Sequence, residues 1–196
     1  MSNRTTGRIV GALFLAAFVF YGVGNALVDR PVGAALILLN SLVVATIGAL
    51  VFGVFRRRRL RAAATYLIAR ALEAALLAVG ILLLILMGSS QGNDLGYQFA
   101  MLILGVGSVP FCRALRRDRI VPGWLAVWGT VGYVLLAAGA VLELIGLSVG
   151  LLLAIPGGLF EVAFGLTLIA RGFPEPFAQE RAIGGHAIND QLGVSA

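Results

Sequence analysis

The chain has 196 residues, of which 60% are hydrophobic and only 12% are charged, and its formal net charge is +6. Soluble domains are close to half apolar and one-quarter charged, so this composition excludes a soluble globular protein and indicates an integral membrane protein. The length predicts a single domain. All of the basic residues are arginines, and because no basic domain gathers them, the sequence predicts no nucleic-acid partner.

Six apolar segments are each long enough to cross a bilayer, which takes about 20 residues of helix. In chain order the predicted spans are 9–28, 32–55, 62–87, 97–115, 123–146 and 149–170. A short polar leader, 1–8, precedes them, and a tail, 171–196, rich in Gly, Pro and charge, is predicted to be flexible. The predicted fold class is therefore all-α, a polytopic membrane protein built as a bundle of six transmembrane helices.

The first segment allows a second interpretation, a cleaved signal peptide. A charged start, an apolar run and the triplet Gly24-Asn25-Ala26 fit that pattern. The segment is long for a signal peptide, however, and it carries four aromatic residues between positions 14 and 21. A retained first span is the favoured interpretation.

The arginines predict which side of the membrane each loop occupies. Thirteen of them fall in the leader, the 56–61 loop, the 113–119 loop and the tail, whereas the opposite loops hold only Arg30, and the Gly-rich loop predicted at 88–96 has no basic residue. Because cytoplasmic loops carry the excess of Lys and Arg, both termini are predicted to be cytoplasmic. The run Arg56-Arg57-Arg58-Arg59 also predicts contact with anionic lipids of the bilayer.

The sequence offers little for cofactor or metal chemistry. Cys112 is the only cysteine, so a disulfide within the chain is excluded, and His186, the only histidine, lies in the tail. The chain has no phosphate-binding Gly loop with Lys, no Gly-x-Ser-x-Gly and no His-Glu-x-x-His. No cofactor and no metal are predicted, and an enzymatic activity is not favoured.

The third span is the most informative segment, because Arg70 and Glu73 lie near its middle. Charges at that depth cost at least ~2.5–3.5 kcal/mol each on insertion scales, so they are expected to face the protein interior. Their i, i+3 spacing places both on one helix face, close enough to pair. The stripe predicted to face the other helices is Tyr66, Arg70, Glu73, Leu77 and Gly80.

Glu161 lies near the middle of the sixth span, at the depth predicted for Glu73. Two carboxylates and one guanidinium at one depth carry a net negative charge in a low dielectric, so a shared proton or a nearby water cavity is expected. Gly157 and Gly165, four residues to either side, predict close helix approach on the same face.

Two interpretations of this cluster stay open. In the first, Arg70, Glu73 and Glu161 form a ligand or proton site, used for proton coupling or for binding a small anion at Arg70. A polar route to it would be lined by Tyr21, Asn25, Asn40 and Glu143. In the second, the cluster is interhelical glue in a structural or partner-binding membrane subunit. The partner could be a second copy of the chain, in a homo-oligomer. A third alternative, an intramembrane enzyme using the two glutamates, lacks an identifiable nucleophile.

Several short motifs occur in an order that resembles the domain of unknown function 4386 family, uncharacterised bacterial six-helix integral membrane proteins. They are Arg70-Ala71-Leu72-Glu73, Leu95-Gly96-Tyr97, Pro122-Gly123-Trp124-Leu125 and Glu161. The resemblance runs from about Thr5 to Gly172. It implies the six-helix fold and location in the bacterial cytoplasmic membrane, and it implies no activity.

Overall fold

The computed structural model describes residues 2–174 of the chain. These residues form six α-helices and no strand: α1 Asn3–Ala26, α2 Pro31–Phe55, α3 Leu60–Met87, α4 Ser90–Arg117, α5 Gly123–Leu144 and α6 Gly150–Arg171. All six are long and apolar enough to cross a membrane. The predicted all-α fold of six spans is confirmed, and the chain has the character of a multi-pass membrane protein.

Two segments predicted to be loops are helical. The predicted leader belongs to α1 from Asn3 onward, because Ser2 caps the helix by accepting a hydrogen bond from the Thr5 N–H at 3.2 Å. Such a cap satisfies one of the free N–H groups of the first turn. Polar residues at a helix end therefore extend the helix beyond its apolar span.

The prediction of a loop at 88–96 is also wrong, because most of these residues are helical. The loop shrinks to Gly88, whose φ is 65°, and Ser89, whose Oγ accepts from the Gly92 N–H at 3.1 Å. The left-handed conformation at Gly88 ends α3, which glycine allows without strain. The polar residues that follow form the first turns of α4.

The bundle also continues past position 171, where the tail was predicted to start. α6 ends at Arg171, and the Phe173 ring is buried against Phe55, with the ring centroids 5.5 Å apart. Residues 175–196, which hold His186 and most of the predicted tail, lie outside the described residues.

The helices form a closed ring. Each helix packs against its neighbours in the chain, and α1 closes the ring by packing against α6. Helices α3 and α6 therefore lie on opposite sides of the ring. We call the end that holds the α2–α3 and α4–α5 turns the arginine-rich end, and the end that holds residues 27–30, 88–89 and 145–149 the opposite end.

Aromatic side chains fill the centre of the ring toward the arginine-rich end. We call this group the aromatic plug; it consists of Phe14, Phe55, Tyr66, Phe111, Phe160, Phe164 and Phe173. The rings contact one another in a continuous network, with Tyr66 stacked on Phe111 at 4.3 Å between centroids and Phe164 meeting Phe14 edge-to-face at 5.6 Å. Edge-to-face and offset-stacked pairs are the favoured aromatic geometries. The plug therefore closes the ring centre at this end.

Glycines bring α1 and α6 together along the arginine-rich half of their contact. A Cβ built at Gly11 would lie 2.9 Å from the Ile169 nitrogen, and one at Gly165 would lie 3.0 Å from the Gly11 carbonyl oxygen. Helices approach this closely only where small residues meet, which is the usual packing device within membranes. Gly165 therefore serves the α1 contact. Gly157, in contrast, packs against Gly132 of α5.

Gly11→Leu is expected to lower the free energy of unfolding by about 1–3 kcal/mol, because the overlapping atoms belong to the α6 backbone and cannot move aside as a side chain would. Gly53→Leu in α2 is the matched control, since a Cβ there has nothing within 4 Å. It is expected to be neutral or up to about 1 kcal/mol stabilising through helix propensity. Denaturant titration in detergent, followed by circular dichroism, measures both. Equal stabilities would contradict the close α1–α6 contact.

One ion pair joins the two turns at the arginine-rich end. The Arg59 guanidinium donates to Asp118 from Nη2 at 2.7 Å and from Nε at 3.1 Å. This hydrogen bond, together with the attraction of the carboxylate charge, raises the pKa of Arg59 above its ordinary value. Arg59 is therefore engaged within the protein, and contact between the 56–59 run and anionic lipids stays a prediction.

Candidate functional site

Arg70 lies at the centre of the ring with all three of its guanidinium nitrogens engaged. Nε donates to the Tyr66 hydroxyl at 2.9 Å, Nη1 donates to Glu73 Oε2 at 2.9 Å, and Nη2 donates to Glu161 Oε1. The side chain is 2% exposed. Its guanidinium carbon also lies over the Phe14 ring, 5.2 Å from the centroid, where the ring face attracts a cation.

The structure thus brings together the three residues predicted to form the cluster. Glu73 lies one helical turn from Arg70 on α3, whereas Glu161 reaches it from α6, on the other side of the ring. The ion pair therefore crosses the bundle centre between two helices that do not pack against each other. The inward stripe predicted for α3 is confirmed, since all five of its residues are buried.

The cluster has more acidic than basic groups. With both carboxylates ionised it carries one net negative charge, which a low-dielectric interior disfavours unless a proton or another cation is added. Glu161 is the more accessible acid, with 21% of its side chain exposed against 5% for Glu73. Its Oε1 accepts from Arg70 and from the Tyr133 hydroxyl at 2.8 Å, while Oε2 has no hydrogen-bond partner within residues 2–174.

A cavity of about 400 Å³ adjoins the cluster on the side away from the aromatic plug. Arg70, Glu73 and Glu161 form its polar floor. Most of the remaining lining is apolar and comes from α1, α4, α5 and α6, including Phe18, Leu104, Leu136 and Leu151. A mostly apolar pocket of this size with a few converging polar groups is typical of small-molecule sites.

The residues predicted to line a polar route separate into two groups. Tyr21, Asn25 and Asn40 line the cavity. Glu143 does not, since its carboxylate accepts a hydrogen bond from the Gly150 N–H at 2.9 Å and so caps the start of α6. Asn40 is 3% exposed, and its Oδ1 has no hydrogen-bond partner among the described residues.

Two tyrosines of the site were missed from the sequence. Tyr133 of α5 holds Glu161, and Tyr97 of α4 lines the cavity with its ring stacked on Tyr21, 5.5 Å between centroids. A signal was present for Tyr133, because a phenol hydroxyl in the middle of an apolar span needs a hydrogen-bond partner. The partner itself is set by packing across the ring and is not visible in a single segment.

The geometry separates the possible ligands by charge. An anion at Arg70 would compete with the two carboxylates that already pair with the buried guanidinium, and it would add to the net negative charge of the cluster only after overcoming their repulsion. A proton or a cation, in contrast, meets an acceptor at Glu161 Oε2 and corrects the net charge. Within residues 2–174 no three His, Cys, Asp or Glu residues converge as they would to hold a metal ion.

Comparison with known proteins identifies a family that part of the chain resembles. Residues 83–172 match a family model described as Domain of unknown function (DUF4386). The matched range contains Tyr97, Tyr133 and Glu161 and leaves Arg70 and Glu73 outside it, so it covers a shorter part of the chain than the resemblance at 5–172. No curated protein and no solved structure matches the chain.

Proposed function

Because residues 83–172 match a family model whose description, Domain of unknown function (DUF4386), assigns no activity, we propose a function from the site itself. We propose that the protein binds a small solute in its membrane cavity, with the Glu161 carboxylate as the polar contact. The observation that carries the proposal is Glu161 Oε2, an acceptor without a partner in the described chain, at the floor of a cavity of about 400 Å³. A proton on the carboxylate pair supplies the missing positive charge between binding events.

The orientation proposed for this activity follows from the arginines. The thirteen-to-one distribution supports cytoplasmic termini, and the family resemblance supports a bacterial cytoplasmic membrane. The cavity lies toward the opposite end of the ring and would then occupy the outer half of the membrane. The aromatic plug closes the other end, so we propose binding, and not passage across the membrane, as the activity of this conformation.

A structural role is the second candidate, and the cross-ring ion pair favours it. Arg70 and Glu161 join two helices that have no packing contact of their own, which is what interhelical glue would do. The two candidates differ at Glu161: a structural tie needs only its hydrogen bonds, whereas solute binding needs a carboxyl that a small molecule can reach.

A lipophilic carbodiimide tests this difference. N,N′-dicyclohexylcarbodiimide adds a protonated carboxyl group across one C=N bond, and the product rearranges to an N-acylurea that retains every atom of both reactants. We expect a single adduct at Glu161, located by peptide mass spectrometry.

Two variants complete this test. Glu161→Gln should give no adduct while remaining folded, and Glu73→Gln should still be labelled at Glu161, since Glu73 is the less exposed acid. Glu143, engaged with the Gly150 N–H outside the cavity, is an internal control and should stay unlabelled. An unreactive Glu161 in the folded wild-type protein would reject the binding function in favour of the structural one.

A further inference from the structure

The cavity has an opening on the side of the bundle, between α1 and α6. These helices are in tight contact near Gly11 and Gly165, but the contact loosens toward the opposite end. A Cβ at Gly158 would meet only the Phe18 ring, at 3.4 Å, and one at Gly22 would meet nothing within 4 Å. Gly22, Gly158 and Phe18 all line the cavity. We call this gap the α1–α6 opening.

The walls of the α1–α6 opening face outward and are apolar. Phe18 is 56% exposed, Leu151 is 79% exposed and Leu159 is 51% exposed, although all three also line the cavity. On helices long enough to cross a membrane, outward-facing apolar side chains contact lipid tails. This part of α6 also contains Pro156. Proline has no N–H, so the Leu152 carbonyl lacks its usual helical hydrogen bond there. The opening therefore joins the cavity to the lipid, and a solute using it must be soluble in lipid.

The floor of the cavity selects a cation. Its exposed polar group is Glu161, whereas the Arg70 guanidinium is buried and already paired with both carboxylates. The aromatic faces of Tyr21, stacked with Tyr97, lie on the wall, and ring faces attract desolvated cations. A carboxylate below and aromatic rings at the side are complementary to a positively charged head group.

The floor also favours a cation that carries N–H bonds. Asn40 lines the cavity with a buried Oδ1 that no described residue satisfies, and Glu161 Oε2 is a more accessible acceptor that also has no partner within residues 2–174. Buried acceptors are normally hydrogen-bonded, because an unpaired one has lost its bonds to water without replacement. A primary or secondary ammonium group can donate to acceptors of this kind, whereas a quaternary ammonium cannot.

We propose that the solute is a lipophilic amine in its protonated form, which reaches the cavity from the lipid through the α1–α6 opening and places its ammonium group against Glu161 and Asn40. The ammonium replaces the proton as the positive charge that balances the acidic cluster. This inference rests on the proposed solute-binding function and adds the class of solute and its route.

Binding to the full-length protein in lipid nanodiscs tests the class, with empty nanodiscs subtracted for partitioning into lipid. Three probes of similar shape are compared: 2-phenylethylamine as the cation, 2-phenylethanol as the neutral molecule and 3-phenylpropionate as the anion. The amine is expected to bind at least tenfold more tightly than the other two and to slow carbodiimide labelling of Glu161. Equal or tighter binding of the alcohol or the carboxylate would overturn the proposal.

The N–H requirement is tested with Asn40→Leu and a fourth probe, trimethyl(2-phenylethyl)ammonium. The substitution removes the unpaired acceptor with little change in volume. It should weaken binding of the primary amine about tenfold and leave the quaternary cation unaffected. An equal loss for both cations would show that Asn40 acts only by shaping the cavity, and would overturn this part of the proposal.

The route is tested by filling the α1–α6 opening. Gly22→Trp places an indole where a Cβ meets nothing within 4 Å, and Gly53→Trp does the same on α2, away from the cavity. We expect Gly22→Trp to slow amine association at least tenfold and Gly53→Trp to leave it unchanged. Unchanged association in both variants would overturn the route.

The outcome also separates this inference from the function on which it rests. If carbodiimide labels Glu161 but none of the amines binds, the solute class is wrong and the accessible cavity stands. If Glu161 is not labelled in the folded protein, the binding function fails, and the amine with it.

Discussion

Arg70→Met is expected to lower the free energy of unfolding by about 3–5 kcal/mol, the usual cost of removing one partner from a buried ion pair. Methionine fills a similar volume, so little of the loss comes from packing. It arises because Glu73 and Glu161 lose their shared donor in the bundle centre, where an uncompensated charge is poorly tolerated. Denaturant titration in detergent micelles, followed by circular dichroism, provides the measurement.

Two comparisons make this expectation specific. Arg59→Met also removes an arginine from an ion pair, but Arg59 is 38% exposed and solvent screens its charge, so its loss should cost far less than the loss of Arg70. The triple variant Arg70→Met/Glu73→Gln/Glu161→Gln removes all three charges and should recover most of the stability lost in Arg70→Met. A triple variant no more stable than the single one would show that the charges are not what Arg70 balances.

The cluster could be predicted from the sequence because depth and helical period determine it. Arg70 and Glu73 share one helix face wherever the span is placed, and Glu161 lies at the middle of its own span. Charged residues at that depth have to face the bundle interior. What could not be derived is that α3 and α6 oppose each other, since this depends on α1 closing the ring against α6.

The cavity, and the two tyrosines missed at the site, could not be predicted from the sequence for a related reason. A cavity is space left by side chains of several helices, so no single segment indicates it. Glu143 illustrates the difficulty: by depth alone it resembled the other polar residues, and only the geometry of the α5–α6 turn shows that it caps α6. The aromatic plug could not be predicted either without knowing that the helices form a ring, because its residues come from five helices and the segment after α6.

The plug and the glycine contacts together explain the shape of the cavity. Gly11 and Gly165 hold α1 against α6 at the arginine-rich end, where the aromatic rings fill the centre. Toward the opposite end α1 and α6 lack such a glycine contact and the plug does not extend between them, so the centre stays open as far as Arg70. The charged cluster thus lies at the boundary between a closely packed half and an accessible half of one ring.

Phe164→Ala is expected to lower the free energy of unfolding by about 3 kcal/mol, more than any other single substitution in the packed core. This value is at the lower end of what Phe-to-Ala substitutions cost in soluble cores. Transfer of apolar surface contributes less in a membrane, but the lost contacts remain. Phe164 is completely buried and its ring meets those of Phe14, Phe111 and Phe160. The same denaturant titration measures the change.

A second readout follows from Cys112, which is completely buried in the same cluster. The wild-type thiol should resist N-ethylmaleimide, whereas opening the plug should let the reagent reach it, as intact mass would show. Phe99→Ala is the matched control, because Phe99 lies on α4 with 45% of its surface exposed. It should keep both the stability and the unreactive cysteine. If the two phenylalanine variants behave alike, the aromatic rings do not close the cavity, and a path from Glu161 to the arginine-rich end has to be considered.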